Sequence, residues 1–99
     1  MLSYKNLIRT LEIFASHDGG LEKECLRMWA EHDEHGICYN RLTPFTVEEV
    51  REIQKMDGWN LGCDAEYNEE DSEKWGDTEI SDEELMKLWN SYSSIYTIE

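Results

Sequence analysis

Side chains able to do chemistry gather in two places along the 99-residue chain. The first holds His32, His35 and Cys38 at intervals of three, with Cys25 and Asp33 nearby. Structural zinc sites present two close ligand pairs separated by a longer loop, as in C-x2-C with H-x3-H. This cluster lacks that arrangement. If residues 33 to 36 form a turn, His35 sits on its tip and His32 lies beside Ile37, so one tetrahedral centre would be distorted. The second place is Asp64, Glu66 and Asn68, at alternate positions as in a calcium-binding EF-hand loop. Such a loop needs Gly at its sixth position and Glu at its twelfth, which here are Glu69 and Trp75. Starting instead at Asp71 places Gly76 sixth but Trp75 fifth and Asp82 twelfth. No metal is expected from either pattern.

Covalent catalysis would need Cys38 or a serine beside a histidine held by a third group. No such orienter accompanies His35 and Cys38, and isolated cysteines in apolar strands are usually small core residues. The phosphate-cradling, nucleophile-elbow and H-E-x-x-H patterns are absent. Carboxylates are abundant, but acid/base chemistry needs a cleft that shifts one pKa, and an exposed acidic block does the opposite. The chain is therefore expected to be no enzyme and to carry no cofactor.

What remains is charge. Asp64 to Glu84 contains eleven carboxylates against the single cation Lys74, a net of −10 within a total of −14. Like-charged blocks repel themselves and usually stay solvated. Tyr67 and Trp75 lie inside this one, and an amphipathic pattern follows it, so the block is expected to be displayed on a folded scaffold. Such a surface repels nucleic acid and anionic membranes, whose binding relies on Lys and Arg. It attracts basic protein surfaces, including those whose ordinary ligand is a polyanion. Duplex DNA carries one negative charge per about 1.7 Å of axis, a density that carboxylates on a rigid small fold can approximate. The candidate partner-binding residues are Glu66, Glu69, Glu70, Asp71, Glu73, Asp77 and Glu79 as phosphate surrogates. Tyr67 and Trp75, with Trp59 as a further candidate, would anchor the contact near its centre.

The elements that must hold this display can be read in order. Apolar residues make up 39% of the chain and four are Trp, so a folded body is expected, as one domain over residues 1–99. Tyr4, Leu7, Ile8, Leu11 and Phe14 fall on one helix face opposite Lys5, Asn6, Arg9, Thr10 and Glu12, with Ser3 as cap and Asp18-Gly19-Gly20 as stop. Cys25 to His32 and Ile37 to Tyr39 read as a hairpin closed by Asp33-Glu34-His35-Gly36. Thr46 and Glu49 form a capping box, with Phe45 stapled on Val50, for a helix ended by Asp57-Gly58. Trp59 to Cys63 reads as a third strand in which Gly62 marks a bulge or a close backbone approach. Ser81 and Glu84 form a second capping box for a helix of about fifteen residues, whose apolar stripe continues through Ile95 and Tyr96. The expectation is an α+β fold of order αββαβα, with three helices on a small three-stranded sheet taken as antiparallel.

Three cysteines at wide spacing argue against a secreted disulfide framework. The opening MLSYKNLIRTLEIF is broken by Lys5, Arg9 and Glu12, unlike a signal peptide. No apolar run approaches the ~18 residues of a membrane span. These features predict a soluble, cytosolic protein.

At Ala30-Glu31-His32-Asp33, then the capped helix Thr46 to Asp57, Gly58-Trp59 and an acidic run ending at Trp75, the chain resembles short uncharacterised proteins of phages and prophages. The resemblance covers about residues 26 to 75. It implies a setting in which small acidic proteins act as anti-CRISPR, anti-restriction or DNA-mimicking inhibitors of host proteins. The reading is therefore an inhibitor that blocks a host nucleic-acid-binding defence or repair protein. The alternative is a non-catalytic adaptor binding through its aromatic face, with homo-oligomerisation open to either.

Overall fold

A computed structural model describes residues 2–18, 27–31, 33–39 and 43–98. Helix α1 spans Tyr4–Asp18, strand β1 Arg27–Glu31, strand β2 Glu34–Cys38 and helix α2 Val47–Lys55. Strand β3 is the short Asn60–Leu61, followed by a 3-10 turn at Asp64–Glu66 and helix α3, Glu69–Gly76. Helix α4, Asp82–Asn90, and strand β4, Ser94–Ile98, complete the order. The class is α+β, as the sequence implies, with one strand and one α-helix more than expected. Neighbouring strands in the sheet run β1-β2-β4-β3, and every pair is antiparallel.

Ser3 caps α1 as expected, its hydroxyl accepting from the Asn6 N–H at 3.1 Å. The buried face differs from the expected one. Phe14, Ile13 and Thr10 are buried, whereas Tyr4 and Ile8 are exposed. Thr10 explains the rotation, because its hydroxyl accepts from the buried Trp59 indole at 3.0 Å and donates to the Asn6 carbonyl at 2.8 Å. A buried indole N–H without an acceptor would cost about 1–3 kcal/mol. A threonine read as polar surface thus becomes a core residue.

The hairpin is tighter than predicted. Glu31 pairs with Glu34, Ala30 with His35 and Met28 with Ile37, leaving only positions 32 and 33 as the connection. Glu34, His35 and Gly36 lie in β2 and do not form the turn. Two-residue connections are the commonest in hairpins because their backbone twist matches that of the paired strands. Cys25, at the proposed start of the first strand, falls outside the described residues.

The helix after Pro44 follows its signals. Thr46 accepts from the Glu49 N–H at 3.2 Å and its own N–H donates back to Glu49 Oε1 at 2.7 Å, while Phe45 and Val50 are both buried. The same carboxylate lies 2.7 and 2.9 Å from Nε2 of His17, joining the end of α1 to the start of α2. Gly58 follows at φ +113°, where a Cβ would stand 2.5 Å from the Leu2 backbone nitrogen. The chain can pass the start of α1 here only without a side chain.

The C-terminal third departs most. The helix expected to reach the C-terminus ends at Asn90, and residues 94–98 form a strand that sits between β2 and β3. Ile95 and Tyr96 were assigned to one helical stripe, but both are buried and, as neighbours in a strand, they point to opposite faces of the sheet. Isoleucine, tyrosine and threonine favour that pleated position. Ser81 caps α4 by accepting from the Glu84 N–H at 3.2 Å. The core gathers aromatic rings: Tyr39 stacks on Trp89 with centroids 4.4 Å apart and donates its hydroxyl to the Trp89 carbonyl at 2.7 Å. Phe14 and Phe45 meet Trp89 edge-on, and Trp75 stacks at 6.0 Å.

Burial opposes ionisation of Glu49, but the Thr46 N–H and the His17 imidazole outweigh it and hold the carboxyl below the usual glutamate range. The Arg9 hydrogen bonds do the same for Glu52. Stability from these depressed groups is present above about pH 4.3 and is lost as pH falls through their folded-state values. The urea midpoint is expected to drop less on acidification in Glu49→Gln than in the unmodified chain. An equal drop in both would remove Glu49 from the acid response.

Candidate acidic interaction face

The acidic segment has too much like charge to fold by itself, and α3 at eight residues is shorter than helices that stand alone in water. Four sets of contacts hold it. Asn68 caps α3, accepting from the Asp71 N–H at 3.0 Å. Trp75, 4% exposed, turns inward and donates its indole N–H to the Trp59 carbonyl at 2.9 Å. Beyond the helix, Gln54 donates from one amide nitrogen to the carbonyls of Trp75 at 3.0 Å and Asp77 at 2.9 Å. Arg51 continues the series with the Thr78 carbonyl at 3.3 Å, the Ile80 carbonyl, and Asp82 Oδ1 at 2.8 Å. Two side chains of α2 thus meet one carbonyl of the last turn of α3, that of its cap Asp77, and two of the loop beyond.

With Trp75 inward, the other side of α3 faces solvent. Glu69, Glu70 and Glu73 are exposed there, and Glu66 and the 56%-exposed Tyr67 lie just before the helix. Residues 69 and 73, one turn apart, are neighbours on the helix surface. Lys74 is the only cation among them, 3.5 Å from Glu70. Asp77 and Glu79 are also exposed but lie past the C-terminal end of α3, a helix about 12 Å long by its residue count. Asp77 is partly engaged, its Oδ1 accepting from the Glu79 N–H at 2.9 Å.

Three residues expected at the site take other roles. Trp75 cannot anchor a partner from the surface, because its ring packs on Trp89 within the core. Trp59 is likewise buried. A tryptophan in a charged stretch is here the residue that fastens the stretch down. Asp71 is half-buried and accepts from the Tyr92 hydroxyl at 2.6 Å, so it tethers α3 to the segment before β4. Sequence patterning gives Arg51 and Gln54 no role and reads Tyr92 only as part of the apolar stripe of the last helix, since each lies far along the chain from the atoms it holds.

Among the described residues the metal and nucleophile patterns do not assemble either. His35 and Cys38 are three apart in one strand and therefore project from opposite faces of the sheet. Asn68, a calcium-pattern position, is used as the helix cap. Among the described residues no group of three or more His, Cys, Asp or Glu is placed to hold a metal ion. Cys25 and His32 lie outside those residues. Among the described residues, too, no helix is long and apolar enough to cross a membrane.

The local potential shows in the tyrosines. Burial, and then the Asp71 carboxylate and Glu66, push the Tyr92 hydroxyl up to about 12. Burial followed by Asp64 and Glu34 raises Tyr96 as well. Comparison with family models, curated proteins and solved structures finds no match for this chain.

Two measurements check this anchoring. Gln54→Leu leaves the buried Trp75 carbonyl without its donor and takes from the Asp77 carbonyl one of its two donors, the Ile80 N–H being the other; it is expected to lower stability by about 1–3 kcal/mol in urea unfolding, and an unchanged midpoint would discount the clamp. An alkaline absorbance titration should contain a late phase near pH 12 that disappears in Tyr92→Phe. Asp71→Asn should bring that phase part of the way down, because burial remains. The stability linked to this raised hydroxyl is present below about pH 10 and is lost as pH rises through the folded-state value.

Proposed function

We propose that the chain is a stoichiometric protein inhibitor whose α3 face occupies the basic surface of a nucleic-acid-binding protein. The observation that carries this reading is the row Glu66, Glu69, Glu70 and Glu73, exposed around Tyr67 on a segment that Trp75, Gln54 and Arg51 fasten to the core. A pre-ordered row loses little conformational freedom on binding, which favours affinity over a floppy acidic tail. Tyr67 supplies the exposed aromatic that commonly dominates such contacts. Asp77 and Glu79 extend the negative field without belonging to the row.

The setting proposed, following the resemblance at residues 26 to 75, is a phage-type inhibitor acting in the bacterial cytoplasm on a CRISPR effector, restriction enzyme or repair enzyme. The adaptor reading has less surface to work with. Among the residues whose side chains are described, Phe14, Tyr39, Phe45, Trp59, Trp75, Trp89 and Tyr96 are buried, and Tyr4 and Tyr67 are exposed.

Immobilised protein exposed to bacterial lysate is expected to retain a nucleic-acid-binding protein at about 0.1 M salt and release it at about 1 M, where the Debye length falls from roughly 10 to 3 Å. Replacing Glu66, Glu69, Glu70 and Glu73 by Lys should abolish capture while circular dichroism stays unchanged, since all four are exposed. Capture by the reversed variant with unaltered affinity would refute the reading.

A further inference from the structure

Among the residues whose side chains are described, three large apolar ones are exposed: Tyr4 at 85%, Ile8 at 59% and Tyr67 at 56%. Tyr67 belongs to the acidic face. Tyr4 and Ile8 are one turn apart on α1 and form a separate strip, turned to solvent because Thr10 is turned inward. Beside them, α1 and the end of α2 enclose an open groove of about 760 Å³ that includes Ile8 and Met56 and is bordered by Lys5, Glu12 and Lys55. Arg9 crosses it to Glu52, with Nε 2.6 Å from Oε2.

The charge of this face is opposite to that of the chain. Lys5, Arg9 and Lys55 exceed Glu12 and Glu52 by one positive charge, within a protein of net charge −14. The ion pairs among the described residues do not involve Lys5 or Lys55. None of the α3 carboxylates borders the groove.

We propose that this face is where two copies of the chain meet about a two-fold axis. Two bodies of charge −14 repel each other over most approaches, so contact is cheapest where the local balance is positive and apolar area is exposed. The α1 strip meets both conditions. It is also self-complementary: with two α1 helices antiparallel about a midpoint between Ile8 and Arg9, Lys5 stands opposite Glu12 of the partner subunit. The two-fold repeats that pair, as an isologous contact must. Tyr4 is then directed toward the partner's groove. The α3 faces stay outside the contact, so each dimer would present two of them.

Sedimentation equilibrium of the full chain tests this. The expected mass is twice 11.7 kDa at high protein concentration, falling to 11.7 kDa on dilution. Dimerisation should strengthen between about 0.1 and 1 M salt, because salt screens the net repulsion; capture by the acidic face moves the other way, so the two proposals fail separately. Ile8→Glu, at an exposed position, should keep the circular dichroism spectrum and raise the dissociation constant at least about tenfold. Lys5→Glu should weaken the dimer, and Lys5→Glu with Glu12→Lys should recover it. A mass of 11.7 kDa at every concentration, or a dimer indifferent to Ile8→Glu, overturns the proposal. Failure of the double reversal to recover what the single one lost overturns the antiparallel pairing.

Discussion

Arg51 and Gln54 reach from α2 to the backbone carbonyls of Trp75, Asp77, Thr78 and Ile80. These carbonyls run from the last turn of α3 to the residue before the α4 cap, a stretch that holds Asp77 and Glu79 and is flanked by the carboxylates of both helices. Repulsion between those carboxylates favours an open chain, and the last carbonyls of a helix need partners. A guanidinium and an amide answer both demands. Between them they supply donors to four carbonyls, and the guanidinium adds a positive charge beside Asp82. Trp75 and Ile80, both buried, then contribute the apolar area that makes the docked arrangement favourable.

That anchoring leads directly to the candidate site. Once Trp75 points inward, helical geometry leaves Glu69, Glu70 and Glu73 no direction but outward. The acidic face is thus the reverse side of a packing decision. Its cost in repulsion is reduced by placement: Glu69, Glu70 and Asp71 occupy the first turn of α3, and Asp82, Glu83 and Glu84 the first turn of α4, where the helix dipole favours negative charge. Burial, and then the carboxylates of Asp71 and Glu66, raise the hydroxyl pKa of Tyr92, so electrostatics and packing meet at the Asp71 bond.

The last strand closes the structure from the inside. β4 lies between β2 and β3, so these two mid-chain strands enter one sheet only when residues 94–98 arrive. Gly62, at φ +75°, passes so near Tyr92 that a Cβ would lie 3.0 Å from its ring, and its N–H donates to the Ser94 carbonyl. The close approach anticipated for that glycine is therefore a contact with the chain entering β4. Non-local pairing of this kind makes folding slower than in helical bundles of equal size.

Local chemistry alone determined a good part of this protein. Capping at Ser3, Thr46 and Ser81, the stop at Gly58, and the α+β class follow from contacts within a few residues or from composition, which a sequence states openly. The charge of the 64–84 segment and the exposure of most of its carboxylates were equally legible, because ions seek water wherever the chain runs. What only the tertiary structure decided was every choice that depends on a distant partner. Thr10 is buried because Trp59 needs an acceptor 49 residues away, and Trp75 is an anchor inward because Trp89 and the Trp59 carbonyl receive it. Residues 94–98 show apolar positions compatible with either a helix or a strand, and the vacancy between β2 and β3 settles the choice. Periodicity reports which residues want to be buried; only the assembled fold says against what.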